Sequence, residues 1–297
     1  MLGSVRHVAC AVCAADDYRV LFPKSRQVHQ IVKCNRCGLM YANPQEVVDC
    51  EEFVLHNATR KIDPEGADRQ YCQKQHVQMP DSERALQVLN DFCPKRGRLL
   101  EIGSYLGLLL ERCRAAGWDT TGLEPFRPAA NYARSKYGLQ IIEGVLPNPA
   151  LKDQSFDAVL MLHVIEHMPD PTENVREIRR ILRKGGMLVV ETPRFDSLMF
   201  KLFGKRERSI NNCPGHIYFF TVPLLRRLLE DNGFEILRVD LVGRTLTMER
   251  LFYNVGVMSR NTRILNGIQR LARAFHLDQV HLHVNVRDMQ RIYCRAR

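Results

Sequence analysis

No stretch of this sequence is apolar for long enough to cross a bilayer. The most apolar run, Leu99–Leu110, is interrupted by Glu101 and falls short of the ~20 residues a spanning helix needs. The opening MLGSVRHVACAVC carries neither the apolar core nor the small-residue cleavage site of a secretory leader. Repeats and low-complexity tracts are absent too, which excludes solenoids and long disordered linkers. A soluble, cytoplasmic protein is the expectation.

What is present is an ordinary globular composition, 45% hydrophobic and 26% charged over 297 residues, enough for one full α/β domain and a smaller module. The net charge of +10 is uneven: from Arg238 onward there are eleven basic and four acidic side chains. A basic balance favours phosphate-bearing partners such as nucleic acid, anionic lipid or nucleotide-linked substrates, although a solvated face is the commoner cause.

Ten cysteines without a secretory leader argue against a disulfide framework. Four of them form two tight pairs, Cys10-Ala-Val-Cys13 and Cys34-Asn-Arg-Cys37, twenty residues apart. Each pair can aim two thiolates at one point, and two pairs joined by short strands (Tyr18–Phe22 and Val28–Lys33) make a tetrahedral S4 site suited to zinc. Such a closed site is structural, its binding energy replacing the core that ~40 residues cannot build. Cys50, Cys72, Cys93, Cys113, Cys213 and Cys294 read as small apolar fillers. A zinc ribbon over 1–44 and a polar linker with short helices over 45–80 are therefore expected.

From residue 81 onward the pattern becomes regular. A helix capped at Asp81 or Ser82 is followed by strands at Arg98–Ile102, Trp118–Glu124, Leu139–Glu143, Phe156–Leu162 and Gly186–Thr192. Helices lie between them, at Arg127–Tyr137 and Pro171–Leu182 among others. This alternation predicts a Rossmann-like parallel sheet covered on both faces, with ligands beyond the carboxyl ends of the strands. Phe234–Val242 and His281–Arg295 alternate as a terminal antiparallel pair, giving seven strands in a domain spanning 81–297. Between them, about 246–277, an insertion has an apolar face and a basic face. It reads as simple packing, a lid, a dimer surface or an interfacial helix.

The first strand–helix turn, Glu101-Ile-Gly103-Ser-Tyr-Leu-Gly107, is not a dinucleotide fingerprint. Its glycines stand four apart, the first allowing a bulky ligand to approach and the second a close helix contact. Glu101 ahead of them would repel a pyrophosphate and attract an ammonium or sulfonium. Glu124 ends the next strand, where a carboxylate can accept both hydroxyls of a ribose. A cationic amino acid joined to a nucleoside fits both, which points to S-adenosylmethionine.

Four segments then carry a resemblance: Leu99–Gly107, His163-Val-Ile-Glu-His-Met-Pro-Asp-Pro171, Leu182–Pro193 and Gly215-His-Ile-Tyr-Phe-Phe-Thr221. The sequence resembles the class I S-adenosylmethionine-dependent methyltransferases, and within them the branch with an N-terminal zinc-binding ribbon that includes sugar C-methyltransferases. The resemblance implies that Glu101, Gly103, Ser104, Tyr105 and Gly107 line the methionine end of the cofactor, with Glu124 at its ribose. Gly144 and Val145 would lie by the adenine and His163 beside the sulfonium. It further implies His216 as general base, with Tyr218 positioning the acceptor or acting as a second acid/base group. Glu166 and His167 read as groups fixing the turn before Pro169. Two positions depart from the family pattern: Ser104-Tyr105 replaces a small Cys-Gly pair, and Gly215 stands where many relatives carry Glu.

The expected activity is methyl transfer from S-adenosylmethionine to carbon or oxygen of a small metabolite, including nucleotide-linked sugars. An RNA methyltransferase is the alternative, disfavoured because the ribbon lacks interleaved exposed aromatics and no Asn-Pro-Pro-Tyr-type loop follows the fourth strand. A non-catalytic cofactor-binding protein is the third reading.

Overall fold

The structure, a computed structural model, describes residues 5–24, 30–46, 61–64, 66, 68–204, 210, 215–248, 251 and 280–297. Seven strands form the main sheet. In chain order they are β6 (Arg98–Ile102), β7 (Asp119–Glu124), β8 (Gln140–Glu143), β9 (Phe156–Leu162), β10 (Leu182–Pro193), β12 (Phe234–Thr247) and β13 (His281–Ala296). In space the order is β12-β13-β10-β9-β6-β7-β8. The five strands from β10 to β8 run parallel, while β13 is antiparallel to both β10 and β12. This is the seven-stranded Rossmann-like sheet anticipated above.

The strands read as apolar runs because both faces of the sheet are covered. Leu100, Val159, Met161, Leu188 and Val190 pack on one face against Val175, Ile178 and Leu225. Their alternate neighbours Leu99, Ala158, Leu160, Met187 and Val189 pack on the other, against Leu86, Leu89, Leu110 and Trp118. Each such fully buried Leu or Val contributes about 1.5–3 kcal/mol. Helices α2 (Leu108–Ala115), α3 (Arg127–Tyr137) and α4 (Pro171–Ile181) complete the layers. Cys113 and Cys294 are buried in them as apolar fillers, whereas Cys50 and Cys213 lie outside the described residues.

Helix α1 corrects the sequence reading. It runs from Arg69 to Phe92 through Pro80, so Asp81 lies inside it rather than capping its start. The Asp81 carboxylate instead accepts hydrogen bonds from the Thr245 N–H (2.6 Å) and hydroxyl (3.0 Å) on β12. The terminal hairpin is also longer than expected: β12 continues to Thr247, and residues 252–279, most of the anticipated insertion, lie outside the described residues.

The N-terminal module is a second sheet ordered β11-β4-β3-β2, with β2 (Tyr18–Phe22), β3 (Ile31–Cys34) and β4 (Met40–Ala42) from the module itself. Its fourth strand, β11 (Tyr218–Phe219), comes from the large domain and pairs antiparallel with β4. Val5–Arg6 (β1) pairs with Gln45–Glu46 (β5) nearby. Cys10, Val32, Leu39 and Tyr41 share one apolar cluster with Met168, Tyr218 and Phe220. The ribbon is therefore built into the domain's flank. Among the described residues no helix is long and apolar enough to cross a membrane.

Candidate functional site

The loop after β6 is shaped by its glycines. Gly103 has φ +73°, and a Cβ there would stand 2.6 Å from Val164 of the loop after β9. Gly107, at φ +76°, lies so close to α3 that a Cβ would meet Leu139 at 2.6 Å and Ala133 at 2.9 Å. Both positions demand glycine, for conformation and for space. The loop thereby brings the ends of β6, β7 and β9 together.

Two buried carboxylates face this loop. Glu101 is buried, and its Oε2 has no hydrogen-bond partner among the described residues. Burial, with the charge of Glu124 behind it, pushes its pKa well above the ordinary carboxylate range. Ser104 Oγ is likewise buried without a partner among the described residues. An orphaned buried carboxylate oxygen fits a ligand that brings an ammonium group. Glu124 accepts the Tyr105 N–H on Oε2 and the Phe126 N–H on Oε1, both at 2.8 Å. Burial raises its pKa, and those two N–H groups partly offset the rise. Each oxygen keeps a lone pair for a hydroxyl. The rings of Tyr105 and Phe126 lie stacked, centroids 6.4 Å apart and planes within 9°. Gly144 follows β8, its N–H bonded to the Glu124 carbonyl at 3.2 Å, and Val145 beside it is exposed.

At the carboxyl ends of β9 and β10 the chemistry changes. His163 holds φ at +59°, a conformation that non-glycine residues adopt rarely and at some cost. Its N–H is fixed to the Glu191 carbonyl at 2.8 Å. Its Nε2 lies 3.2 Å from Glu191 Oε1, with the side chain 43% exposed. Glu191 is in turn clamped by Arg291 Nε at 2.5 Å. Burial alone would raise the Glu191 pKa, but the His163 hydrogen bond and the Arg291 charge outweigh it and bring it down to about 2. Glu191 and Arg291 carried no role in the sequence reading. They are neighbours only through the antiparallel pairing of β10 with β13, which no local motif announces.

Glu166 lies in the turn after β9 (a short 3₁₀ segment, Ile165–His167) and is fully buried. Thr192 donates its hydroxyl to Oε2 at 2.9 Å. Oε1 stands 4.0 Å from both His163 Nδ1 and His216 Nε2. His216 is nearly buried and lies edge-on to His167, ring centroids 4.7 Å apart. Glu166 is thus the carboxylate nearest His216 among the contacts described.

Tyr218 is placed differently from the expectation. It forms β11 in the ribbon sheet, is 2% exposed, and stacks on Tyr41 at 6.2 Å. Its hydroxyl donates to the Pro169 carbonyl at 3.1 Å, and burial pushes its pKa up to about 12. A phenol so held is a wedge between ribbon and domain, not an acid/base group open to an acceptor. The resemblance that implied a role for Tyr218 beside His216 could not reveal that its strand belongs to the other sheet.

The four ribbon cysteines converge. All four sulfurs lie within 4.8 Å of one another, with Cys10–Cys37 at 3.3 Å and Cys13–Cys34 at 3.5 Å. Burial pushes Cys10 up, whereas for Cys34 the N–H groups of Cys37 and Arg36 outweigh burial and lower it to about 7. Four soft donors at tetrahedral spacing fit a zinc ion.

Comparison with known proteins agrees with this geometry. Residues 73–239 match the family model described as a methyltransferase domain. An uncharacterized methyltransferase of Geobacillus sp. (strain WCH70) is 27% identical over 160 residues, covering 50% of this chain and 75% of that protein. A ubiquinone biosynthesis O-methyltransferase of Xanthomonas axonopodis pv. citri is 31% identical over 105 residues, but only 44% of its length is covered. Among solved structures, an S-adenosylmethionine-dependent methyltransferase from Thermotoga maritima, titled a possible histamine N-methyltransferase, superposes with a TM-score of 0.53 at 23% identity. That likeness covers 77% of this chain and 96% of the other, and it shows the fold alone. With the family model spanning more than half of its length, the chain belongs to the methyltransferase family and is a class I S-adenosylmethionine-dependent methyltransferase.

Proposed function

We propose that the enzyme methylates carbon or oxygen of a small-molecule acceptor, nucleotide-linked sugars included, with His163 taking the acceptor's proton. The observation that carries this reading is the chain His163–Glu191–Arg291 at the ends of β9 and β10, adjoining the loop that holds Glu101 and Gly103. S-adenosylmethionine, when bound, supplies a methyl group on a positively charged sulfur, already activated for in-line displacement. Glu101 and Ser104 would hold its amino group and Glu124 its ribose, with Tyr105 and Phe126 beside it. Gly144 and Val145 would adjoin its adenine.

The remaining work is positioning and deprotonation. With Nε2–H donating to Glu191, Nδ1 of His163 carries the lone pair that accepts the proton. The imidazolium so formed sits against a carboxylate that Arg291 keeps ionised. Exposure favours His163 over the nearly buried His216 for this step. The likeness to a ubiquinone biosynthesis O-methyltransferase supports an oxygen acceptor. The four cysteines would bind a structural zinc whose knuckles hold β4, and β4 holds β11 beside His216.

The test is transfer of labelled methyl from S-adenosylmethionine into a cell extract, separated into small-molecule, RNA and protein fractions. Label in small molecules, reduced ~10²–10⁴-fold in His163→Ala with cofactor affinity kept, is the expected result. Label in RNA would replace the acceptor assignment with a nucleic acid, and undiminished transfer by His163→Ala would remove it as the base.

A further inference from the structure

We infer that Glu166, His167 and His216 form a binding site for a divalent transition-metal cation, separate from the ribbon cysteines. One ligand atom from each lies within 4.8 Å of the others, the same spacing that gathers the four thiols. Such a set, two imidazoles and one carboxylate, suits Zn²⁺, Co²⁺, Mn²⁺ or Fe²⁺ rather than the all-oxygen shells of Ca²⁺.

Two independent observations point to a missing cation. First, Glu166 is 0% exposed and its Oε1 has no hydrogen-bond donor among the described residues. The His216 Nε2 stands 4.0 Å from it, too far for a hydrogen bond and wide enough for an ion to sit between the two after a small inward shift. A carboxylate oxygen buried without a donor is costly, and a cation would supply the missing partner. Second, the surrounding groups are those that orient metal ligands. Thr192 donates to the other oxygen of Glu166 at 2.9 Å. The Gly215 carbonyl, 2.7 Å from His167 Nδ1, accepts the proton there and so leaves the lone pair on Nε2.

Gly215 gains a purpose here. A Cβ at 215 would stand 3.1 Å from His167 Nδ1, so any side chain there would press on the ring beside its hydrogen bond. His167 is exposed while Glu166 and His216 are buried. The site therefore opens on the His167 side, where water or an acceptor oxygen completes the shell.

The experiment uses the full-length, untagged protein with zinc retained in the ribbon, titrated with Co²⁺. Wild type is expected to take up one further equivalent. That equivalent would show visible ligand-field absorption and none of the thiolate charge-transfer bands that cobalt in the cysteine site gives. His167→Asn, whose side chain is exposed, and His216→Asn should each weaken it at least tenfold. The zinc content, melting curve and S-adenosylmethionine affinity should stay unchanged. Glu166→Gln should abolish it, and if that variant misfolds His167→Asn alone decides. Saturation of wild type at one metal per chain overturns the inference, as does a second equivalent that persists in His167→Asn and His216→Asn. Neither result bears on methyl transfer by His163, which the labelling experiment reads separately.

Discussion

Glu101 and Glu191 lie on strands two apart in one sheet, level with Leu160 and Leu162 of the strand between them, and they are 7% and 4% exposed. Their protons are nevertheless held in opposite ways. Glu191 has its cation inside the chain: Arg291 and His163 overcome burial and pull its pKa down to about 2. Glu101 faces another carboxylate, and burial with that like charge pushes its pKa well up. A buried charge whose partner is covalently present is part of the scaffold. One whose partner is missing is the place to look for a cation arriving from outside.

The largest way to break this contrast is to remove the internal partner. Arg291→Ala strands Glu191 in the core and should cost about 3–5 kcal/mol of stability, read as a lower urea midpoint with an unchanged slope. The second test removes the waiting partner. Glu101→Gln should weaken S-adenosylmethionine binding by about 1.5–3 kcal/mol, the worth of a charge-assisted hydrogen bond, measured by calorimetry, while leaving the apo fold no less stable. In wild type the same titration, run in buffers of different ionisation heat, should show a proton released as the ligand's ammonium pulls Glu101 to its charged form. No release would mean that Glu101 is already ionised.

A third test sharpens the contrast through pH. The lowered Glu191 gives stability that is complete above its ordinary value of 4.5 and lost as pH falls toward about 2. The raised Glu101 acts oppositely: the folded state holds its proton more tightly, so stability falls as pH rises above 4.5 through its elevated pKa. Melting curves across pH should lose the alkaline-side decline in Glu101→Gln and the acid-side decline in Glu191→Gln. The smallest effect concerns Tyr218, a polar group satisfied from within like Glu191. Tyr218→Phe should cost about 1 kcal/mol for its lost hydrogen bond and leave the pH profile of methyl transfer unmoved. A shifted profile would return Tyr218 to the chemistry.

The parallel sheet was legible because Leu99–Leu100, Val159–Leu160 and Leu188–Val190 are buried on both faces and need no alternation. The cysteine pairs, Glu101 and Glu124 were legible because their chemistry is local: a tight turn, a strand end, a glycine loop. Asp81 was misread because an acid after Pro80 resembles a cap, while its true partner Thr245 lies 164 residues away. Glu191 was passed over for the same reason, its Arg291 being 100 residues distant. Glu166 was partly visible, since His163 and Glu166 stand three apart on one turn, but its approach to His216 depends on the strand that joins ribbon to domain. Burial and long-range pairing decide these roles, and neither has a local signature.

That shared strand also sets an order of events during synthesis. The ribbon's β4 leaves the ribosome with one edge unpaired, and its partner Tyr218–Phe219 follows roughly 180 residues later, about 10–35 s at ordinary elongation rates. For that interval the nascent chain presents an open strand edge able to pair with another chain. A chain cut short before residue 218 would keep that edge bare, and its fate would be self-association rather than a stable ribbon.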